Sequence, residues 1–389
     1  MLRIGIVTLF DDNYNYGGQL QAYAMCRLFG GLKQDAKVVS FHYDSGKYLV
    51  QRIKALGVRG TWDSLKNKVI FRWRAGQRDS QLQKEYAVKI EKYQQFMKEI
   101  PHTETFAGGD MQAADKQFDC FVCGSDQVWN PGWWNDIYFL GFTEKPKFSY
   151  AASIARESLK DRERKYIKRM TKDYLGIAVR ESKAKELLSN VTDQEVFVTL
   201  DPTLMVEKKV WEELAVLPAI KEKYVLVYKI GSVTEIVKQV YNVCRQAGYL
   251  VVSVGYAKNT YRMGEEKIAD IMVSSAGPRE WIGLIKNAEF VFTDSFHGSV
   301  FSVIFHKNFW CFEKEKSSVT NENSRLYSLL QSFDLTDRLL AEEVPAFVFD
   351  KKINYAAVME LYAAEKRASF AYINSCLEAV ERSAECGYE

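Results

Sequence analysis

Apolar runs of strand length recur along this chain, each ending in a polar turn and most followed by a helical pattern. In a first series they occupy 3–9, 37–41, 118–123, 148–152, 177–179 and 196–200. Strands that alternate with helices predict parallel βαβ units. Asp201-Pro202 then punctuates the chain, because proline drives the residue before it out of the helical region. A second series follows, with strands at 224–229, 249–254 and 288–292 and helices at 235–246 and 279–287. Two series of this kind predict an α/β fold of two doubly wound, Rossmann-like domains facing across a cleft, with ligands held at the strands' C-terminal ends. The expected domains are 1–205, with a basic helical insertion over about 47–115, then 206–335, and a helical tail over 336–389 that packs back on both. A length of 389 residues fits two domains better than one.

Composition narrows the class. At 47% hydrophobic and 14% aromatic the chain can bury sizeable cores. No signal peptide is visible at Met1-Leu2-Arg3-Ile4, and no apolar run approaches the ~20 residues of a membrane span, so a cytoplasmic protein is expected. Seven scattered cysteines suit a reducing compartment, and Cys120 and Cys123 lie inside an apolar strand, where core packing explains them better than redox chemistry. The net charge of +3 is uneven. Residues 47–98 hold 13 Lys and Arg against 4 Asp and Glu, leaving the remainder at −6. Ile53, Leu56, Trp62, Leu65, Val69, Ile70, Phe71 and Trp73 lie among these charges. The segment reads as a solvated helical hairpin on the domain edge, or as a peripheral contact with an anionic membrane surface at the inner membrane face or with an acidic glycan.

In a doubly wound fold the residues just after strands carry the chemistry. Asn15-Tyr16-Gly17-Gly18 follows the first strand and opens a helix expected at about Leu20; the paired glycines admit close backbone approach, and Asn15 offers an amide to sugar or phosphate. This is not a dinucleotide fingerprint. Gly124-Ser125-Asp126-Gln127-Val128-Trp129-Asn130 sets short donors and acceptors beside an indole suited to a sugar, although Asp126 and Asn130 serve equally well as turn caps. Ser153 closes the fourth strand, and Arg180 the fifth. A guanidinium there can hold a carboxylate or phosphate in two parallel bonds, or pair with Glu181 or another carboxylate. The last strand ends in Thr293-Asp294-Ser295-Phe296-His297-Gly298-Ser299, placing titratable groups at a helix N-terminus. His297 is one of four histidines and the one in such a turn; a structural role, capping its helix, is the alternative to a catalytic one.

These segments, with Ser149-Tyr150-Ala151-Ala152-Ser153, Val179-Arg180-Glu181 and Asp201-Pro202-Thr203-Leu204, resemble in order those of the polysaccharide pyruvyl transferase family, over about residues 1–330. Ala155-Arg156 departs from the Phe-Gly pair more usual in that family. The resemblance implies a GT-B-like fold and transfer of pyruvate from phosphoenolpyruvate, as donor, to a sugar of a polysaccharide or lipid-linked oligosaccharide as a cyclic ketal. It assigns His297 and Asp294 to catalysis, with His297 as acid or phosphate partner and Asp294 orienting it. Arg180, Ser295, Gly298 and Ser299 fall to the donor. Asn15, Gly17, Gly18, Gly124, Ser125, Asp126, Gln127, Trp129 and Ser153 fall to the acceptor or another ligand. No cofactor and no metal is expected, since no His, Cys, Asp or Glu cluster has ligand spacing and no step demands a Lewis acid. Nucleic-acid binding would rest on the basic insertion alone and is not expected. A glycosyltransferase using a nucleotide sugar, or a non-catalytic glycan-binding protein, would share the fold.

Overall fold

The computed structural model describes residues 1–11, 13–42, 80–107, 111–231, 233–255, 268–314, 323–345 and 347–386. The apolar and aromatic positions of the basic insertion between Ile53 and Trp73 lie outside them. Fourteen strands are described: β1 Arg3–Val7, β2 Asp35–Val38, β3 Phe41–His42, β4 Phe106–Ala107, β5 Cys120–Cys123, β6 Lys147–Ser149, β7 Ile177–Val179, β8 Val196–Val198, β9 Tyr224–Tyr228, β10 Leu250–Val254, β11 Ile271–Val273, β12 Phe290–Thr293, β13 Asn308–Phe312 and β14 Leu339–Leu340.

All the strand pairs are parallel. The N-terminal sheet has the order β2-β1-β5-β6, and β7-β8 continues it through the bridge between Ala152 and Val179. The C-terminal sheet runs β11-β10-β9-β12-β13-β14. In each, the chain leaves a central strand to one side and returns on the other, between β1 and β5 and between β9 and β12. Ligands of doubly wound sheets bind at such switch points. The central strands read as near-continuous apolar runs because helices cover both faces.

Two features differ from the sequence reading. Residues 339–340 belong to the C-terminal sheet, as β14, rather than to the tail. The tail itself is the helix Tyr355–Cys386. It joins the halves: the Tyr355 hydroxyl bonds to the Lys307 carbonyl at 2.5 Å, and the Tyr372 hydroxyl to that of Ser149 at 2.7 Å. The cores are also not separate. One apolar cluster runs from Ile4 and Ile6 under the first sheet, through Tyr16 and Trp281, to Leu226 and Val291 of the second.

Helix Ser80–Glu99, the longest described element of the insertion, lies across this junction rather than on a domain edge. Its buried positions, Tyr86, Lys89, Tyr93 and Phe96, recur at three- and four-residue steps and so form one face. Lys92 and Glu99 pair with Glu280 and Arg279 of the C-terminal half at 2.8 and 2.5 Å. Lys89, counted above among the surface charges, is buried. Its ammonium donates to the Gly255 carbonyl and stands 4.7 Å from the centre of the Tyr16 ring. Tyr16 in turn stacks on Trp281 at 5.3 Å and places its hydroxyl 3.0 Å from the Gly255 oxygen and 2.9 Å from that of Ala276.

Burial pulls the Lys89 ammonium down to a pKa of about 7, whereas the unfolded chain holds that proton to about pH 10.4. Between these values unfolding takes up a proton, so stability rises with pH across this window by up to ~1.4 kcal/mol per unit; below pH 7 the term is constant. Replacing Lys89 with Met should flatten that rise. Urea midpoints at pH 7 and pH 9 for both proteins would check it, and equal slopes would rule it out.

Candidate functional site

The C-terminal ends of the two sheets meet at one carboxylate. Asp201 follows β8 and caps the short helix Pro202–Met205, its Oδ1 accepting from the Thr203 amide at 3.0 Å and the Thr203 hydroxyl at 2.6 Å. Proline at the first helical position lacks the N–H that would otherwise need a partner. The other oxygen, Oδ2, faces inward and accepts from Arg180 Nη1 at 2.7 Å and Ser125 Oγ at 3.2 Å. His297 Nε2 lies 3.6 Å from the same oxygen and has no hydrogen-bond partner among the described residues. His297 belongs to helix Phe296–Ile304 of the C-terminal half, so Asp201 links the halves.

Arg180 leaves β7 where it gives way to the helix Ser182–Ser189. Its side chain is 1% exposed, donates from Nη2 to Asp126 Oδ1 at 3.2 Å, and lies 4.3 Å from the Phe296 ring centre. The arginine is therefore committed to two carboxylates, Asp201 and Asp126, rather than open to solvent. Burial disfavours its charge, but Asp201, Asp126 and Glu181 outweigh that and raise its pKa. Burial would likewise raise Asp201, yet His297, Arg180 and Thr203 hold it well below the usual carboxylate range. Beside this cluster a cavity of about 20 Å³, room for roughly one water, is lined by Arg180, Asp201, Phe296, Ser328 and Glu365 among others.

Glycine is required opposite His297 for a reason the sequence did not reveal. The first helix begins at Tyr16, not at Leu20, with Asn15 as its cap and Asn15 Oδ1 accepting from the Gly18 amide. Gly17 and Gly18 are thus helical, and that amide is used by the cap rather than offered to a ligand. A Cβ on Gly17 would stand 2.0 Å from His297 Nδ1, and one on Gly18 would stand 2.1 Å from Asn13 Nδ2. The glycines admit side chains, the imidazole above all.

Several expected residues fall elsewhere. Asp294 does not orient His297; its carboxylate accepts from the Ile230 amide at 2.6 Å and the Gly231 amide at 2.5 Å, fixing the turn after β9, and burial raises its pKa. Trp129 is fully buried, stacks on Phe139 at 5.5 Å and donates to the Tyr138 carbonyl, so no sugar can stack on it. Ser299 bonds to the Ser295 carbonyl, and Ser295 Oγ caps the Gly298 amide at 3.2 Å, so this helix start is satisfied by its own serine. Ser153 donates to Glu181 Oε1, which also accepts from the amides of Ile154 and Ala155. Gly124 lies at φ 122°, where a Cβ would meet the Tyr150 carbonyl oxygen at 2.1 Å; its role is backbone shape. Brought together are His297, Arg180, Asp126, Ser125, Gln127 and Gly17. Missed as site residues were Asp201, visible in sequence as a helix cap, and Arg325, whose Nη1 lies 3.9 Å from Asp126 Oδ1.

A family model described as polysaccharide pyruvyl transferase matches residues 15–314, a span that contains all of these residues except Arg325. The chain belongs to that family. No curated protein sequence matches this pyruvyl transferase family member. Similar solved structures include UDP-N-acetylglucosamine 2-epimerase from Rickettsia bellii, with 11% identity over 98% of this chain and 98% of that one and a TM-score of 0.49. Another is the Methanocaldococcus jannaschii UDP-GlcNAc 2-epimerase in complex with UDP-GlcNAc and UDP, with 11% identity, 94% and 92% coverage and a TM-score of 0.46. E. coli ADP-heptose lps heptosyltransferase II shows 9% identity, 94% and 99% coverage and a TM-score of 0.34. At these scores none bears on what this transferase acts on. Its GT-B-like character rests on its own two parallel sheets. Among the described residues no helix is long and apolar enough to cross a membrane, and no group of three or more His, Cys, Asp or Glu could hold a metal.

Gly17→Ala should displace His297 and lower activity by ~10²-fold or more. The same change adds helix propensity of up to ~1 kcal/mol, so the melting temperature should hold or fall little. Activity assays paired with thermal melts would check it; full activity would show that the imidazole position does not matter.

Proposed function

We propose that this family member transfers the pyruvyl group of phosphoenolpyruvate to a sugar of a polysaccharide or lipid-linked oligosaccharide, forming a cyclic ketal. The observation that carries this reading is the placement of His297, from one half, against an ionised Asp201 and Arg180 from the other. The reaction needs an acid beside a site that tolerates a donor bearing both carboxylate and phosphate.

His297 is the proton donor in this scheme. Histidine is the side chain whose ordinary titration range lies near neutrality, and the Asp201 carboxylate gives an imidazolium a counter-charge 3.6 Å away. Protonation of the donor's methylene carbon leaves an oxocarbenium-like centre at the adjacent carbon. A sugar hydroxyl adds there and gives up its proton, the neutral imidazole being the nearby base. The bond from that carbon to the phosphate oxygen then breaks, and a neighbouring hydroxyl of the sugar closes the ketal, its proton leaving with the phosphate as hydrogen phosphate. Arg180 acts one step removed: it fixes the two carboxylates and supplies positive charge to the floor of the site.

The acceptor sugar belongs, in this reading, to a bacterial cell-surface glycan built at the inner membrane face. The basic segment proposed to rest there lies largely outside the described residues.

Phosphate release from phosphoenolpyruvate, dependent on a defined glycan, is the test. His297→Ala should lower that turnover by ~10²-fold or more with the melting temperature little changed. Release at near wild-type rate in the variant would return His297 to a structural role, and no glycan-dependent release from the wild type would overturn the donor assignment.

A further inference from the structure

The tail helix Tyr355–Cys386 holds the two halves at separate points, and a cavity of about 180 Å³ lies between them. The Tyr362 hydroxyl donates to the Leu204 carbonyl, toward the end of helix Pro202–Met205. Two turns earlier on the tail, the Tyr355 hydroxyl lies 3.2 Å from the Ser302 carbonyl oxygen, in the last turn of helix Phe296–Ile304. Buried Leu204 and Val206 from one half and Val303 and Ile304 from the other floor the cavity, and Met359 of the tail adds to its apolar lining. It is far larger than the cavity beside Arg180, with room for about ten heavy atoms. These walls are the far ends of the two helices whose starts hold the site. Leu204 stands one turn beyond Asp201, and Val303 stands beyond His297 by about 9 Å along the helix axis.

The mouth of the cavity is charged. Exposed Lys208 and His306 and half-buried Lys366 meet a single acid there, Glu207. Lys366 lies 5.6 Å from the Tyr362 ring centre, and among the described residues neither lysine ammonium has an ion-pair or hydrogen-bond partner. Burial, and after it the charge of Lys208, lowers the His306 pKa, as a positive field at the mouth requires. His306 is also held there at a cost. It follows the C-cap Phe305 with φ 52°, and the turn closes through the His306 amide to the Val303 carbonyl at 3.1 Å and the Lys307 amide to that of Ser302 at 2.8 Å. Glycine takes this left-handed position without strain. Histidine instead sets a ring at the cavity mouth, stacked on Tyr355 at 4.7 Å.

We infer that this cavity is an effector site for a small carboxylate with an apolar body of about eight carbons, its carboxylate at Lys208 and Lys366 and its body against the apolar floor, and that occupancy fixes the helix starts carrying Asp201 and His297. The floor supplies affinity by burial, and two ammonium groups offset by one carboxylate leave a single charge for the ligand to match. An amine of the same shape would meet like charge. The ligand touches both helices and the tail together only in this arrangement of the halves, so binding favours that arrangement. The inference uses the geometry around Asp201 and His297 and is independent of the pyruvyl-transfer reading.

Calorimetric titration of the full chain with octanoate, phenylacetate, acetate and phenethylamine tests it, using wild type, K366Q, M359W and H306G, each with a thermal melt. Octanoate and phenylacetate should bind the wild type and raise its melting temperature. Acetate, which lacks the apolar body, and phenethylamine, which carries the opposite charge, should bind more weakly by roughly 10-fold or more. K366Q should lose about 5-fold in affinity, and M359W, whose indole fills the cavity, should not bind. H306G should melt no lower, because glycine relieves the left-handed position, yet bind several-fold more weakly, a loss that a folding defect cannot produce. Hydrogen exchange at the Thr203 and Gly298 amides, in the first turns of the two helices, should slow several-fold when octanoate is bound. Undiminished binding by a folded M359W, equal binding of octanoate and phenethylamine, or no binding of either larger carboxylate by the wild type would overturn the site. Binding that M359W abolishes but that leaves exchange at both amides unchanged would overturn the effector role. Each of these readouts is taken without phosphoenolpyruvate, so none depends on the donor assignment.

Discussion

The site depends on a carboxylate that has been taken completely out of water. Asp201 is buried beneath both sheets' ends, and an isolated ion there would be driven to neutrality. It remains an anion because every direction around it is occupied: the Thr203 amide and hydroxyl on one oxygen, Arg180 and Ser125 on the other, and the His297 imidazole beyond. Such a group adds little net stability over a well-packed apolar one, but removing a partner strands a buried charge at about 3–5 kcal/mol. The cluster is therefore better understood as a device that fixes geometry. It ties the end of the first α/β unit to the first turn of a helix in the second and makes the position of His297 a consequence of the domain contact.

The same charges set the electrical state of the site. Arg180 and Arg325 stand among the carboxylates of Asp201, Asp126 and Glu181, with the His297 imidazole beside them. The domain contact that holds it is independently supported by Tyr16, which stacks on Trp281 of the other half, and by Lys89, which crosses the junction to Gly255. Tyr16 immediately precedes the glycine that makes room for His297, so one short stretch of sequence serves both the junction and the site.

Much of this was legible along the chain, because the alternation of strands and helices is local and the strand ends are marked by polar turns. The helices at 235–246 and 279–287 and the strand at 177–179 follow from periodicity alone. His297 and Arg180 stood out as titratable or charged side chains at strand-to-helix transitions, and the structure brings both to Asp201. What periodicity cannot supply is the partner across a long loop. Asp201 looks locally like a helix cap, which it is, and only the second carboxylate oxygen, facing residues 21 and 96 positions away, gives it a further role. Arg325 opens an ordinary surface-length helix and becomes a site residue through the packing of that helix on the opposite half. Trp129 erred in the other direction: an indole among small polar residues suggests a sugar platform, but the ring turns inward to Phe139. Asp294 was placed beside His297 by sequence proximity, whereas three residues span enough of a strand end and helix start for its carboxylate to point to another loop.

Backbone strain gathers around the same strand ends. Asp126, Ala151 and Ala155 all occupy the left-handed region, at φ 68°, 49° and 51°, and each such residue costs on the order of 1–2 kcal/mol when it is not glycine. Glu181 supplies the compensation at one of them, its Oε1 gathering the Ser153 hydroxyl and the amides of Ile154 and Ala155. Glu181 directly follows Arg180, so the residue that anchors the loop after β6 and the residue that anchors Asp201 and Asp126 leave the same strand end side by side. The departure at Ala155-Arg156 from the family's more usual pair falls inside this held loop. A loop pinned by three hydrogen bonds to one buried carboxylate takes its path from those bonds, and because Glu181 adjoins Arg180 the same strand end sets both that path and the guanidinium's position.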